Sequence, residues 1–163
     1  MNESSVADNR LRNLLVQEAR WHCTAARDAA NDVNHALNKQ LLVSVFRNIT
    51  SFLYHAHSLW QILEDSELGV VHLRDPELES HIAVFESMRD SPKSYRTWLE
   101  KSTNHNLTVN SVGPRDAFGG FVDSDIFGLF DPSTFDFYYA GRCANLTAVA
   151  SWLSRVESSL PKR

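Results

Sequence analysis

A chain of 163 residues, 43% apolar and 22% charged, is long enough for one domain with a real hydrophobic core. Its net charge of −4 and pI near 5.9 argue against a surface built to coat nucleic acid, though not against a local basic patch. No apolar run is long enough to cross a membrane, so no membrane span is expected. The polar Met1–Asn9 segment does not read as a signal peptide, and residues 1–8 are expected to be flexible. Cys23 and Cys143 lie far apart and lack metal-type spacing, which predicts reduced thiols in a cytoplasmic protein.

The first element is a helix expected from about Asp8 to Asn38. Leu11, Leu15, Glu18, His22, Ala26, Ala29, Val33, Ala36 and Leu37 recur at spacings of three and four, which places them on one face. Glu18 and His22 sit one turn apart in that face, where leucines would be expected. Alanines 25, 26, 29 and 30 let a neighbouring helix approach closely. A break near Asn38-Lys39-Gln40 has no Gly or Pro to mark it, so a bend in a near-continuous helix stays open.

A second helix, about Leu41 to Glu64, carries the stripe Leu42, Val45, Ile49, Phe52, Leu53, Ala56, Leu59, Trp60 and Leu63. Asn48 and His55 fall on one rim of it and His57 on the other. Residues 66–75 read as a connection in which Gly69–Leu73 could be extended. Asp75 then caps a third helix, with Pro76 at its first position and Leu78, Ile82, Phe85 and Met88 on its apolar face. Ser91-Pro92 signals a kink or a new start, followed by a short helix to about Ser102.

From 104 to 140 helical periodicity vanishes and Asn, Gly, Asp and Pro recur. Phe118, Phe121, Phe127, Phe130, Phe135, Phe137, Tyr138 and Tyr139 crowd this stretch. It reads as an ordered excursion packed on the helices by its aromatics, with a short strand pair in it. A last helix, about Gly141 to Ser159, carries Leu146, Val149, Trp152, Leu153 and Val156. The expected fold is mostly α: one domain, a bundle of four or five helices, two of them long.

Candidate chemistry is sparse. A carboxylate beside an imidazole, as in Glu18 and His22, can orient the ring, raise its pKa, or bind a metal with it. A bundle metal site would add ligands from other helices, commonly through Glu-x-x-His, and that pattern is missing. A polar pair at a helix seam or dimer interface is the plainer reading. Gly113-Pro114-Arg115 and Gly119-Gly120 lack the Lys-Ser/Thr of a phosphate loop. No Gly-x-Ser-x-Gly, His-Glu-x-x-His or Cys-x-x-Cys occurs. No catalytic residue, metal ligand or cofactor is therefore assigned.

Phe85-Glu86-Ser87-Met88-Arg89-Asp90, with the long helices before it, resembles the HEPN superfamily (higher eukaryotes and prokaryotes nucleotide-binding) of helical bundles. Arg89 and Asp90 match the first two polar positions of the family motif. The histidine expected just beyond is replaced by Lys93, Ser94 and Tyr95, and the next one, His105, lies too far on. The resemblance implies a degenerate, non-catalytic, dimeric member. A helix end with a dipole-favourable Arg is the structural alternative for Arg89-Asp90. Glu18, His22, Asn48, His55, Arg89 and Asp90 are accordingly candidate binding residues. The expected function is binding or self-association as a homodimer, with a protein partner or RNA. The alternative is an RNA-directed or metal-assisted enzyme whose cleft gathers Glu18, His22, His55 and Arg89.

Overall fold

A computed structural model describes residues 3–102 and 106–162. His105 and Arg163 fall outside them. The chain is mostly helical and carries a small sheet.

Helix α1 spans Glu3–Asn38, beginning earlier than the capping signals suggest. Its 36 residues make it about 54 Å long. Val16, Ala19, Cys23, Ala26, Ala29, Val33 and Ala36 are buried, and none is larger than valine. The N-terminal third departs from the expected stripe. Leu11 is 44% exposed, Leu15 is half-buried, and Glu18 sits on the rim of the face.

The chain reverses between α1 and α2 within three residues. Gln40 takes the left-handed conformation, φ 56°. The Gln40 amide donates to Leu37 O and the Leu41 amide to Ala36 O, at 3.0 and 2.9 Å. This is the double capping arrangement usually built on glycine. With glutamine in that position, the sequence has no local mark of the turn. Helix α2, Leu42–Ile62, then folds back along α1. Its expected stripe is buried from Val45 to Leu63, while Leu42 is 52% exposed because it sits in the first turn beside the reversal.

Residues 66–73 form two short 3-10 turns, Ser66–Leu68 and Val71–Leu73, where an extended segment was conceivable. Asp75 caps as expected, accepting from the Glu77 amide. The following helix is broken into a 3-10 turn, α3 (Glu79–Ile82) and α4 (Val84–Arg89). Helix α5, Ser91–Lys101, is the new start that Pro92 signals.

The aromatic excursion is a four-stranded sheet. Strands β1 (Thr108–Val112), β2 (Ile126–Asp131), β3 (Asp136–Tyr139) and β4 (Arg142–Asn145) lie in chain order. β1 pairs parallel with β2, and the remaining pairs are antiparallel. All six residues of β2 are buried, so its apolar run forms a central layer rather than a surface loop. Phe127, Phe130, Phe137 and Tyr139 join the same core as the helices.

Between β1 and β2 the chain is tied by Arg115. Its guanidinium donates to Phe118 O, Phe121 O and Asp123. Helix α6 is Leu146–Ser159, shorter than expected because Arg142–Asn145 belong to the sheet. Asn145 ends β4 and caps α6, accepting from the Ala148 amide at 2.8 Å. Trp152 brings α6 against Trp60 of α2, and its indole N–H donates to Leu73 O. Arg20 of α1 donates to Leu160 O and Pro161 O beyond the end of α6.

Gly128 marks the irregularity in β2. Its φ is +99°, the β2–β3 register shifts there, and Asn110 faces it with φ 49°. A Cβ at Gly128 would lie 2.6 Å from Asn110 Oδ1 and 3.2 Å from Asn110 N. Gly128→Ala therefore combines left-handed strain with a clash inside the core layer. It should lower unfolding stability by about 2 kcal/mol or more in a urea titration. A loss under about 0.5 kcal/mol, the range of ordinary surface substitutions, would contradict this account of the bulge.

Candidate functional site

Four of the residues singled out in the sequence lie on α1 and α2. Asn48 is half-buried, two turns before His55. The other three form a cluster. His22 and His55, 3% and 9% exposed, meet across the α1–α2 seam with Nδ1 to Nδ1 at 2.9 Å. Two imidazoles can share this contact only if one nitrogen carries hydrogen and the other does not. The Glu18 carboxylate stands 3.9 Å from His22 Nε2, an electrostatic distance rather than a hydrogen bond. A carboxylate favours hydrogen on the nitrogen it faces. That places N–H on His22 Nε2, leaves His22 Nδ1 as acceptor, and makes His55 Nδ1–H the donor.

An aromatic cover closes the pair. The Trp21 ring is edge-on to both imidazoles, with centroids 4.8 and 5.1 Å away. Tyr54 packs edge-on against His55 at 5.0 Å and against Phe85 of α4 at 5.6 Å. Phe85 in turn touches His57, whose Nε2 lies 3.2 Å from Glu86 Oε1. His55 and His57 are both buried, although a two-residue spacing on a helix points them apart. α1 covers one and α4 the other.

The two remaining candidates point elsewhere. Arg89 donates to its neighbour Asp90 at the exposed end of α4. Asp90 supplies no side-chain cap to α5. The segment Phe85–Asp90 thus reaches the histidine cluster through Phe85 and Glu86, while Arg89 is committed to Asp90. Sequence reasoning missed the His57–Glu86 contact, which joins helices separated by a long irregular connection. It missed the Trp98–Asp125 bond for the same reason. The Trp98 indole donates to the buried Asp125 carboxylate at 2.7 Å, tying α5 to the turn before β2.

Burial sets the protonation of the cluster. His22 is held below the ordinary imidazole range by burial and then by His55, against the opposing pull of Glu18. His55 is lowered by burial. Both rings are neutral near pH 7, and neither is poised as a charged acid. The thiols are separate and inert: burial pushes Cys23 and Cys143 up to about 12. Among the described residues, no group of three or more His, Cys, Asp or Glu is gathered as metal ligands. No described helix is long and apolar enough to cross a membrane.

The chain matches no family model, no curated protein and no solved structure.

The lowered histidines give stability a definite pH dependence. The unfolded chain takes up protons as pH falls through about 6.5, while the folded pair resists them. The pair's contribution is therefore complete above that pH and is lost as pH falls toward the folded values. Urea midpoints should drop between pH 7.5 and 5.5, and the slope should flatten in the His22→Leu/His55→Leu double variant. Equal slopes in the two proteins would contradict the assignment.

Proposed function

We propose that the protein works by binding through self-association, and that its α1–α2 face is where a second copy docks. The observation that carries this reading is a set of large apolar side chains left in solvent above the buried histidines. Leu14 and Trp21 are 56% and 58% exposed, and Leu11 and Tyr54 are 44% exposed. Leu11, Leu14, Glu18 and Trp21 follow one another at spacings of three, four and three, the period of a helix–helix seam. Residues 6–14 of α1 are exposed on every side. An unsupported helix end of that length is only marginally stable in water. A second α1 laid along the stripe would bury it. A seam with this period serves equally on both copies of a two-fold pair.

The neutral histidine pair supports binding over catalysis. Proton-transfer chemistry needs an accessible group that changes charge near the working pH. His22 and His55 are buried, neutral and covered by Trp21 and Tyr54. A non-catalytic, dimeric HEPN-like protein fits this picture, with Phe85 and Glu86 of the resembling segment set behind the face. The reading extends to a larger partner assembled on the dimer, protein or RNA.

Sedimentation equilibrium of the purified chain should return twice the 18.5 kDa chain mass at micromolar concentration. Leu11→Glu and Leu14→Glu, both at solvent-facing positions, should each weaken association by about 10-fold or more, the equivalent of losing one buried large side chain. A monomer at that concentration, or dimers indifferent to both changes, would overturn the reading.

A further inference from the structure

Beside α4, the helix α5 faces the sheet across an open cleft of about 720 Å³. Its charged lining divides into two sets. The acids are each engaged: Glu86 with His57, Asp90 with Arg89, and Asp125 with the Trp98 indole. The cations are Lys93, Lys101 and Arg142, and none is paired with a carboxylate among the described residues. The formal charges of the lining cancel, three cations against three carboxylates, but each carboxylate already holds a partner while the three cations stay open to a ligand.

Their placement is ordered by the helix. Lys93, Thr97 and Lys101 are successive turns of one α5 face, and all three line the cleft. The two lysine backbones are about 12 Å apart along the axis, with the Thr97 hydroxyl midway. Long lysine side chains from either end can converge over Thr97. Arg142 stands at the start of β4 on the sheet side of the cleft. A guanidinium fork, two ammonium groups and a hydroxyl donor lining one cleft suit the tetrahedral oxygens of a phosphate. Ser87, Ser94 and Ser124 line the remaining walls, with the buried Asp125 carboxylate behind them. Those groups hydrogen-bond to hydroxyls rather than to a second anion.

We propose that this cleft is a binding site for a small phosphorylated, hydroxyl-bearing molecule. Its phosphate sits over Thr97 between Lys93, Lys101 and Arg142. The site is distinct from the α1–α2 face and stands whether or not the chain self-associates.

Inorganic phosphate, titrated into the full chain and followed by amide chemical shifts, is the direct test. Saturable shifts centred on Lys93, Thr97, Lys101 and Arg142 are expected, with a Kd of about 1–10 mM for so small a probe. Lys101→Glu and Arg142→Glu should each weaken binding by about 10-fold or more; the exposed Lys162→Glu serves as the unaffected control. Both cleft changes lie on exposed side chains, and a preserved thermal midpoint shows that the fold is intact. Should a glutamate variant lower that midpoint, Lys93→Gln replaces it with the same expectation. Glucose 6-phosphate should bind more tightly than inorganic phosphate, and glucose should not bind. Shifts that never saturate, that spread over all lysines, or that survive the cleft substitutions would overturn the proposal.

Discussion

The close seam between α1 and α2 is the constraint from which the rest of the molecule follows. Small residues at Ala19, Ala26, Ala29 and Ala36 let α2 lie near the α1 backbone, and the reversal at Gln40 holds the two in line. A seam of small side chains has little apolar area to offer, so cohesion comes from the larger α2 residues and from what packs behind them. Phe52, Leu53, Leu59 and Trp60 share one core with α1, and α2 meets the sheet through Phe46 on Phe137 and α6 through Trp60 on Trp152. The histidine contact sits inside this seam. Buried imidazoles without partners would cost the fold several hydrogen bonds' worth of desolvation, and His22 and His55 each supply the other's partner.

That arrangement also explains the division of the surface. Trp21 and Tyr54 stay beside the imidazoles because they shield them from water, and doing so leaves their own outer faces exposed. The apolar patch proposed for self-association is thus a consequence of burying a polar pair. The α5 cleft has a different origin. α5 packs on the sheet through Trp98 and Tyr95, which stacks on Phe127 at 4.5 Å. Its Lys93–Thr97–Lys101 face is then left along the edge of the cleft.

Much of the helical part was legible in the sequence, and its limits are instructive. The α2 stripe from Val45 to Leu63 was read correctly because a single wide arc admits one phase. In α1, Leu11, Leu14 and Leu15 spread over more than one row, so periodicity alone could not choose the buried phase. Alanine further along gives little contrast. The excursion was read as ordered and aromatic, but only a strand pair was expected. β1 reads Thr-Val-Asn-Ser-Val and alternates weakly, and its parallel pairing with β2 is a non-local contact. β4 was absorbed into the last helix, although Asn145 is a favourable capping residue and marks the boundary. For the site, Glu18 and His22 were visible as an i, i+4 pair, and His55 as a neighbouring candidate. Their meeting depends on a reversal that carries no glycine. The cleft was not read in the sequence: Lys93, Thr97 and Lys101 share a face by spacing, but Arg142 arrives from a strand that spacing could not foresee.

The claim on which this account turns is that His22 and His55 form one neutral, hydrogen-bonded pair with a defined tautomer each. Two-bond 1H–15N correlation spectra of the imidazole rings read tautomer and charge directly. At pH 7.5 the account predicts a His55 ring protonated on Nδ1 and a His22 ring protonated on Nε2, both in slow exchange with water. Two rings of the same tautomer, or free averaging between tautomers with titration at the ordinary imidazole value of about 6.5, would contradict it.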